Sequence, residues 1–447
     1  MTPRLDDLAQ RLLDAALRAG ADAADALVVS GESISVQLHN DQLDSATRSE
    51  GIDIGLRVLV GRRQACVSAS DIGAGTVAAL AERAVAMARE APEDPWAGLA
   101  EPAELARGWD LAALEIDDPA DPPAPERLEA LAREAAGAAL GREGIAQVEA
   151  GAAWGRHRLH LAATNGFSGG YARSRADLYC TAIAGSGTGM ERDHAAESRT
   201  HRADLPAPEE VGRRAADRAL AMLGARKPPS GAFPVLYDER VAAGLIGHLL
   251  AAINGTAVAR GATWLKDALG QRVLPAGVDL IEDPERPRGL ASRPFDGEGL
   301  PGWRRAFVRD GVLAVWVLDL ATGRQLRLPS TGNAMRGTGA PPAPGVGNLI
   351  LAAEGSPREK LLAEMGTGLV VTSLIGSTIN PTTGAYSRGA SGFWVERGEI
   401  VRPVHECTIA GNLRDMLRSL RPADDARPSR SRIVPSLLVE GLTIAGD

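Results

Sequence analysis

Glu364-Met-Gly-Thr-Gly-Leu-Val-Val-Thr372, Gly384-Ala-Tyr-Ser-Arg-Gly-Ala-Ser-Gly-Phe-Trp394 and Thr408-Ile-Ala-Gly-Asn-Leu413 follow one another closely near the C-terminus. Short apolar runs rich in Val, Leu, Phe and Trp, broken by glycine and lacking helical spacing, read as strands. Glycine in such a setting marks a tight turn or a place where another backbone comes close. The same texture extends outward through Phe233–Tyr237, Arg305–Val308, Val312–Leu318, Leu349–Ala352, Leu369–Leu374, Gly392–Val395 and Leu437–Ile444. With Gly/Pro turns between them, these runs predict a large antiparallel sheet or barrel-like sandwich over residues 230–447. One strongly apolar helix opens it, and no alternation of strands and helices suggests parallel βαβ units.

Upstream, Lys227-Pro-Pro-Ser-Gly231 reads as a linker. Asp117-Asp-Pro-Ala-Asp-Pro-Pro-Ala-Pro125 reads as another, which sets apart units at 1–112 and 120–226. In the first unit, Leu5, Leu8, Leu12, Leu13 and Ala16 fall at helical spacing, with Thr2 as N-cap and Pro3 at the first helical position. Period-2 runs follow, Ile34-Val36-Leu38 and then Ile52 to Val60, separated by turns at Asn40-Asp41 and Gly61-Arg62. They predict a meander of about four strands, and a helix near 75–90 closes the unit. The second unit repeats this order: a helix near 125–140, strands through Val148, Leu159, Leu161, Leu178 and Cys180, a hairpin at Asn165-Gly166, and a helix near 208–223. The expected fold is therefore α+β, with two helix-meander-helix units ahead of a β-rich C-terminal domain.

Composition narrows the function. The 447-residue chain predicts roughly two to four domains, and 45% apolar with 24% charged residues is ordinary for a globular protein. Among 49 basic residues only Lys227, Lys266 and Lys360 are lysines, a bias that looks like GC-rich coding and removes weight from arginine number. A net charge of −8 leaves no electrostatic footprint for a phosphate backbone, so nucleic acid is not an expected partner. No basic segment and apolar run open the chain, and no window reaches the roughly eighteen uninterrupted apolar residues of a membrane helix. A cytoplasmic protein with no membrane partner is expected. Cys66, Cys180 and Cys407 are odd in number and widely spaced, which fits free thiols rather than a disulfide framework.

Together with Gly289-Leu-Ala-Ser-Arg-Pro-Phe-Asp-Gly-Glu-Gly299 and Leu328-Pro-Ser-Thr-Gly-Asn333, the C-terminal blocks resemble the PmbA/TldD family. The resemblance covers most of the chain, is strongest from Val235 to Leu413 and is weak before residue 150. It implies an assembly of a zinc peptidase subunit and a paralogue without the metal site. In the zinc-bearing type, the helix opening the third domain carries His-Glu-x-x-x-His, and a cysteine near the C-terminus completes the site. Zinc-dependent hydrolysis needs those ligands, an open position for water and a carboxylate to take its proton. The matching helix here reads Gly247-His-Leu-Leu-Ala-Ala-Ile-Asn254. His248 stands at the first histidine, Leu249 at the glutamate and Ile253 at the second histidine. Before the last strand, Pro428-Ser-Arg-Ser-Arg432 holds no cysteine, and none follows Cys407. The resemblance is thus to the metal-free PmbA (TldE) type of subunit, with no catalytic or metal-binding residues of its own and zinc carried by a TldD-like partner.

Other chemistry is weaker. A hydrogen-bonded core histidine is the plain reading of His248 on an apolar helix. In His405-Glu406-Cys407, strand alternation would let only His405 and Cys407 share a ligand. Gly389-Ala-Ser391-Gly-Phe393 lacks the final glycine of a nucleophile elbow. Gly185-Ser-Gly-Thr-Gly189 and Gly332 to Gly347 match neither a dinucleotide fingerprint nor a P-loop. The Gly384–Trp394 block, in contrast, points to contact with a peptide or another subunit through Tyr386, Arg388, Gly389, Gly392 and Phe393. The leading expectation is a subunit that closes a chamber over an unfolded peptide beside a zinc-bearing paralogue, with a homodimer as a second form of the isolated chain. One alternative is a non-proteolytic modulator acting on gyrase. Another is an autonomous peptidase with a relocated site built from His248, His405 and Cys407.

Overall fold

The structure is a computed structural model that describes residues 4–447. Helix α1 (Leu5–Arg18) starts at Arg4, which provides no side-chain cap; Thr2 and Pro3, expected to start it, lie outside the described residues. It leads into strands β1 (Ala23–His39), β2 (Gln42–Val60) and β3 (Arg63–Ala69), and helix α2 (Ala74–Glu90) follows. The order helix, three strands, helix then returns with the helix Pro125–Leu140, β4 (Ile145–Ala163), β5 (Ser168–Ala184), β6 (Glu191–Arg199) and the helix Pro208–Ala221.

Three strands, not four, form the first meander. β1 and β2 pair from Ala23↔Leu59 to His39↔Gln42, with one register shift between Gln37 and Leu38, so the two period-2 runs lie on two long arms of one hairpin. Its turn holds Asn40 at φ 54°, a conformation that asparagine tolerates.

The two units share one antiparallel sheet, β3-β2-β1-β4-β5-β6, joined by β1 against β4 from Asp25↔Ala163 to His39↔Glu149. Strand alternation sorts its faces. Ala24, Ala26 and Val28 pack with α1 and α2, and Ile34 and Val36 pack with the 125–140 and 208–221 helices, which makes two cores on one face. Leu27 and Val29 point the other way, toward Phe167 and Phe295. Phe295 lies in the Gly289–Gly299 block, so the sheet's second face packs against the C-terminal domain.

That domain opens with β7 (Gly231–Tyr237) and the helix Glu239–Ala252. Its main sheet orders the strands 399–412, 385–396, 368–379, β7, 437–445 and 421–422. The first and the fifth also pair, through Thr408↔Ala445, Ile409↔Ile444 and Ala410↔Thr443, which closes a barrel-like ring. Two pairings depart from the antiparallel expectation: β7 runs parallel to the 368–379 strand at Val235↔Leu369, because a long excursion through the helix and most of a second, five-stranded sheet separates the two, and within that second sheet the 349–352 strand runs parallel to residues 432–433 at Leu349↔Arg432. Val312–Leu318, expected as one strand, pairs in that second sheet only at Val312 and Leu313; beyond them Trp316, Val317 and Leu318 are buried in the core. The fold is α+β, and among the described residues no helix is long and apolar enough to cross a membrane.

Candidate functional site

The 239–252 helix and the strand 385–396 set the site. β7 ends at Tyr237, which is fully buried. Asp238 then caps the helix by accepting from the Arg240 backbone N–H, and binds Arg358 at 2.8 Å and Arg240 at 3.1 Å. Burial alone would raise the Asp238 carboxyl, but Arg358 and Arg240 outweigh it and hold the group below its ordinary range. The helix start is thereby fixed. Ala242, Leu245, Ile246 and Leu249 enter the core, while Val241, Ala243 and Gly244 line an open cleft of about 510 Å³.

His248 is half-buried, and its ring meets Tyr386 edge-on, with centroids 5.8 Å apart at 73°. The expected hydrogen bond is missing: among the described residues no side-chain hydrogen bond to His248 is formed. Burial, reinforced by the nearby Arg388 charge, lowers its pKa, so the imidazole is neutral near pH 7. Burial likewise raises the phenols of Tyr237 and Tyr386. Leu249 and Ile253 have no exposed surface and belong to the hydrophobic core.

The structure draws some of the expected residues together and separates others. Tyr386 joins the core on the helix side of the sheet, and Arg388, two residues along the same strand, lines the cleft. Phe393 packs on the opposite face, beside Leu236 and Val370. Gly392 is a close-approach position, since a Cβ there would stand 1.9 Å from the Val370 carbonyl oxygen. At Gly389 it would meet Ile375 Cγ2 at 2.5 Å.

His405 and Cys407 do not share a face. A bulge with Glu406 at φ 50° breaks the alternation, so that Val404 and Cys407 both enter the core. The Cys407 thiol donates to the Ala390 carbonyl at 3.2 Å, and burial pushes its pKa up to about 11. His405 sits instead beside Glu191 at 3.4 Å. The relocated site built from His248, His405 and Cys407 does not form: among the described residues no group of three or more His, Cys, Asp or Glu side chains is placed to hold a metal ion.

Sequence reasoning missed the residues that complete the cleft. His194 and Ala196 come from edge strand β6, Arg218 from the 208–221 helix, and Arg430 and Arg432 from the stretch before the last strand. Arg432 lies over the helix, its Nη1 3.4 Å from where a Cβ on Gly247 would stand. Arg218 donates to the His194 carbonyl at 2.8 Å, and burial lowers its pKa to about 10.

Three family descriptions match in order: PmbA/TldA metallopeptidase domain 1 over residues 24–88, the central domain over 117–223 and the C-terminal domain over 230–446. The chain belongs to the PmbA/TldD metallopeptidase family. It is 36% identical to metalloprotease PmbA of Escherichia coli O157:H7, over 95% of this chain and 93% of that one. A crystal structure from Bacteroides thetaiotaomicron, described as a modulator of DNA gyrase, superposes with a TM-score of 0.91 at 25% identity, covering 99% of this chain and 98% of that one. TldE from Thermococcus kodakarensis shares the fold, with a TM-score of 0.84 at 19% identity over 98% and 100% of the two chains.

A zinc ion does not fit the residues that this family member places along the helix. Leu249 and Ile253 offer no donor atoms and are enclosed by the core, and the C-terminal stretch contributes guanidinium groups, which repel a cation.

Proposed function

We propose that this chain is the metal-free subunit of a heteromeric zinc metallopeptidase that degrades or processes unfolded peptides. The observation that carries this reading is the burial of Leu249 and Ile253 in the core of a metallopeptidase-family helix. Such positions lack a general base and a ligand, and they cannot swing out to acquire them. Zinc then belongs to a TldD-like paralogue. This chain closes the chamber and aligns the peptide.

Alignment has a ready element in β6. It is an edge strand that pairs with β5, and His194 and Ala196 on it line the cleft. An extended peptide added to such an edge gains affinity from backbone hydrogen bonds. Tyr386 and Arg388 face the same region, while Gly389 and Gly392 keep the sheet tightly packed behind them. Phe393, on the far face, lines a neighbouring cleft with Arg218 and Arg240.

Capture of partners from the native cytoplasm tests the assignment. Recovery of a paralogue carrying His-Glu-x-x-x-His is expected. Recovery of gyrase without that paralogue would favour the modulator description carried by the Bacteroides structure.

A further inference from the structure

We propose that the cleft beside the 239–252 helix is a carboxylate-binding site, in which Arg388, Arg430 and Arg432 hold a carboxylate of the bound peptide. The proposal rests on the peptide-positioning reading above and adds the chemical group that is recognised.

Charge accounting around the cleft carries the argument. Arg240 is taken by Asp193 and Asp238, each at 3.1 Å. Glu239, the acid among the lining residues, is taken by Arg427 at 2.8 Å, and Arg427 also reaches Glu197 at 3.3 Å. Among the described residues, Arg388, Arg430 and Arg432 have no carboxylate partner, although all three line the cleft. Arg388 goes further, since its Nε is buried and has no hydrogen-bond acceptor. A buried donor left unmade is costly, and a guanidinium fork matches a carboxylate with two parallel N–H···O bonds. These cations come from segments far apart in sequence, the 385–396 strand and the 428–432 stretch. Arg432 lies close to the helix at Gly247, its Nη1 3.4 Å from where a Cβ would stand. A cleft of about 510 Å³ admits a few residues of an extended chain rather than a folded domain. Edge strand β6 forms one wall, so a peptide paired there would bring a terminal or side-chain carboxylate within reach of the arginines.

The test measures binding of a peptide of about ten residues to the full-length chain. The peptide lacks Asp and Glu and carries an uncharged N-terminal fluorophore. It is compared in three forms: free C-terminus, amidated C-terminus, and amidated with one central Glu. At least one carboxylate form is expected to bind about tenfold tighter than the amidated peptide, the size of a charge-assisted hydrogen bond. Preference for the free C-terminus identifies the terminal carboxylate, and preference for the Glu form identifies the side chain. Arg388→Gln and Arg432→Gln are each expected to erase the preference; Arg432 is exposed, so its substitution leaves Tm unchanged. Equal binding of all three peptides, or a preference that survives both substitutions, overturns the proposal. Cleavage by the assembled complex separates the two ideas. If mixing with the zinc-bearing paralogue gives hydrolysis but binding shows no carboxylate preference, the site fails and the subunit reading stands. If the preference is present and mixing gives no hydrolysis, the site stands and the subunit reading fails.

Discussion

Leu249 and Ile253 turn a metallopeptidase helix into a packing element. Both are fully buried, so the double substitution Leu249→Glu and Ile253→His places polar groups where the core has no partners for them. The expected cost is about 3 kcal/mol or more, read by chemical denaturation, with no peptide hydrolysis by the chain alone. A variant as stable as the parent, binding zinc stoichiometrically, would show that the core tolerates the lost site. His248 gives a second test. Its folded pKa is lowered by burial and by Arg388, so the unfolded chain binds the proton more readily. The associated stability is therefore present above the ordinary histidine range and declines as pH falls through it toward the folded pKa. NMR titration should place His248 below the usual value, and Arg388→Gln should raise it; no change would remove Arg388 from the ring's surroundings. His248, Leu249, Ile253, Tyr386 and Arg388 were legible because a resemblance or a glycine-rich strand marked them. Arg218, Arg430 and Arg432 were not, since an arginine-rich composition makes any single arginine uninformative until its missing ion pair is seen.

The barrel-like ring depends on positions where strands approach without side chains. Gly392 is the clearest, because an added Cβ would overlap the Val370 carbonyl at 1.9 Å. Gly392→Ala should therefore cost about 1–3 kcal/mol or more, measured by denaturation, and an unperturbed stability would contradict the close packing. Most strands and helices were readable, since period-2 runs and helical spacing dominate their segments. What escaped was pairing. The long β1–β2 hairpin looked like separate strands because Gly51 and polar residues interrupt its apolar alternation. The parallel contact of β7 with the 368–379 strand joins segments too distant for any local pattern. The bulge at Glu406 reversed the parity assumed for His405 and Cys407.

The whole molecule is tied across its halves by buried charge. Asp25 in β1 binds Arg57 and Arg336, the latter from the C-terminal domain, and the side chains are 2–4% exposed. Burial opposes ionisation of Asp25, but the two guanidinium groups outweigh it and lower its pKa. Its contribution to stability is thus present above the ordinary aspartate range and is lost as pH falls through the folded value. Asp25→Asn leaves two buried cations short of a counter-charge and should cost about 3–5 kcal/mol; a loss below about 1 kcal/mol would show that water or other groups replace the carboxylate. The tie joins the first unit to the C-terminal domain, and under the proposed function it would help to keep the cleft's walls in place. The most direct test of that function is zinc content and casein-peptide hydrolysis by the purified chain, alone and mixed with the zinc-bearing paralogue from the same genome. We predict no bound zinc and no hydrolysis alone, with cleavage on mixing; stoichiometric zinc and activity in the chain alone would contradict the account.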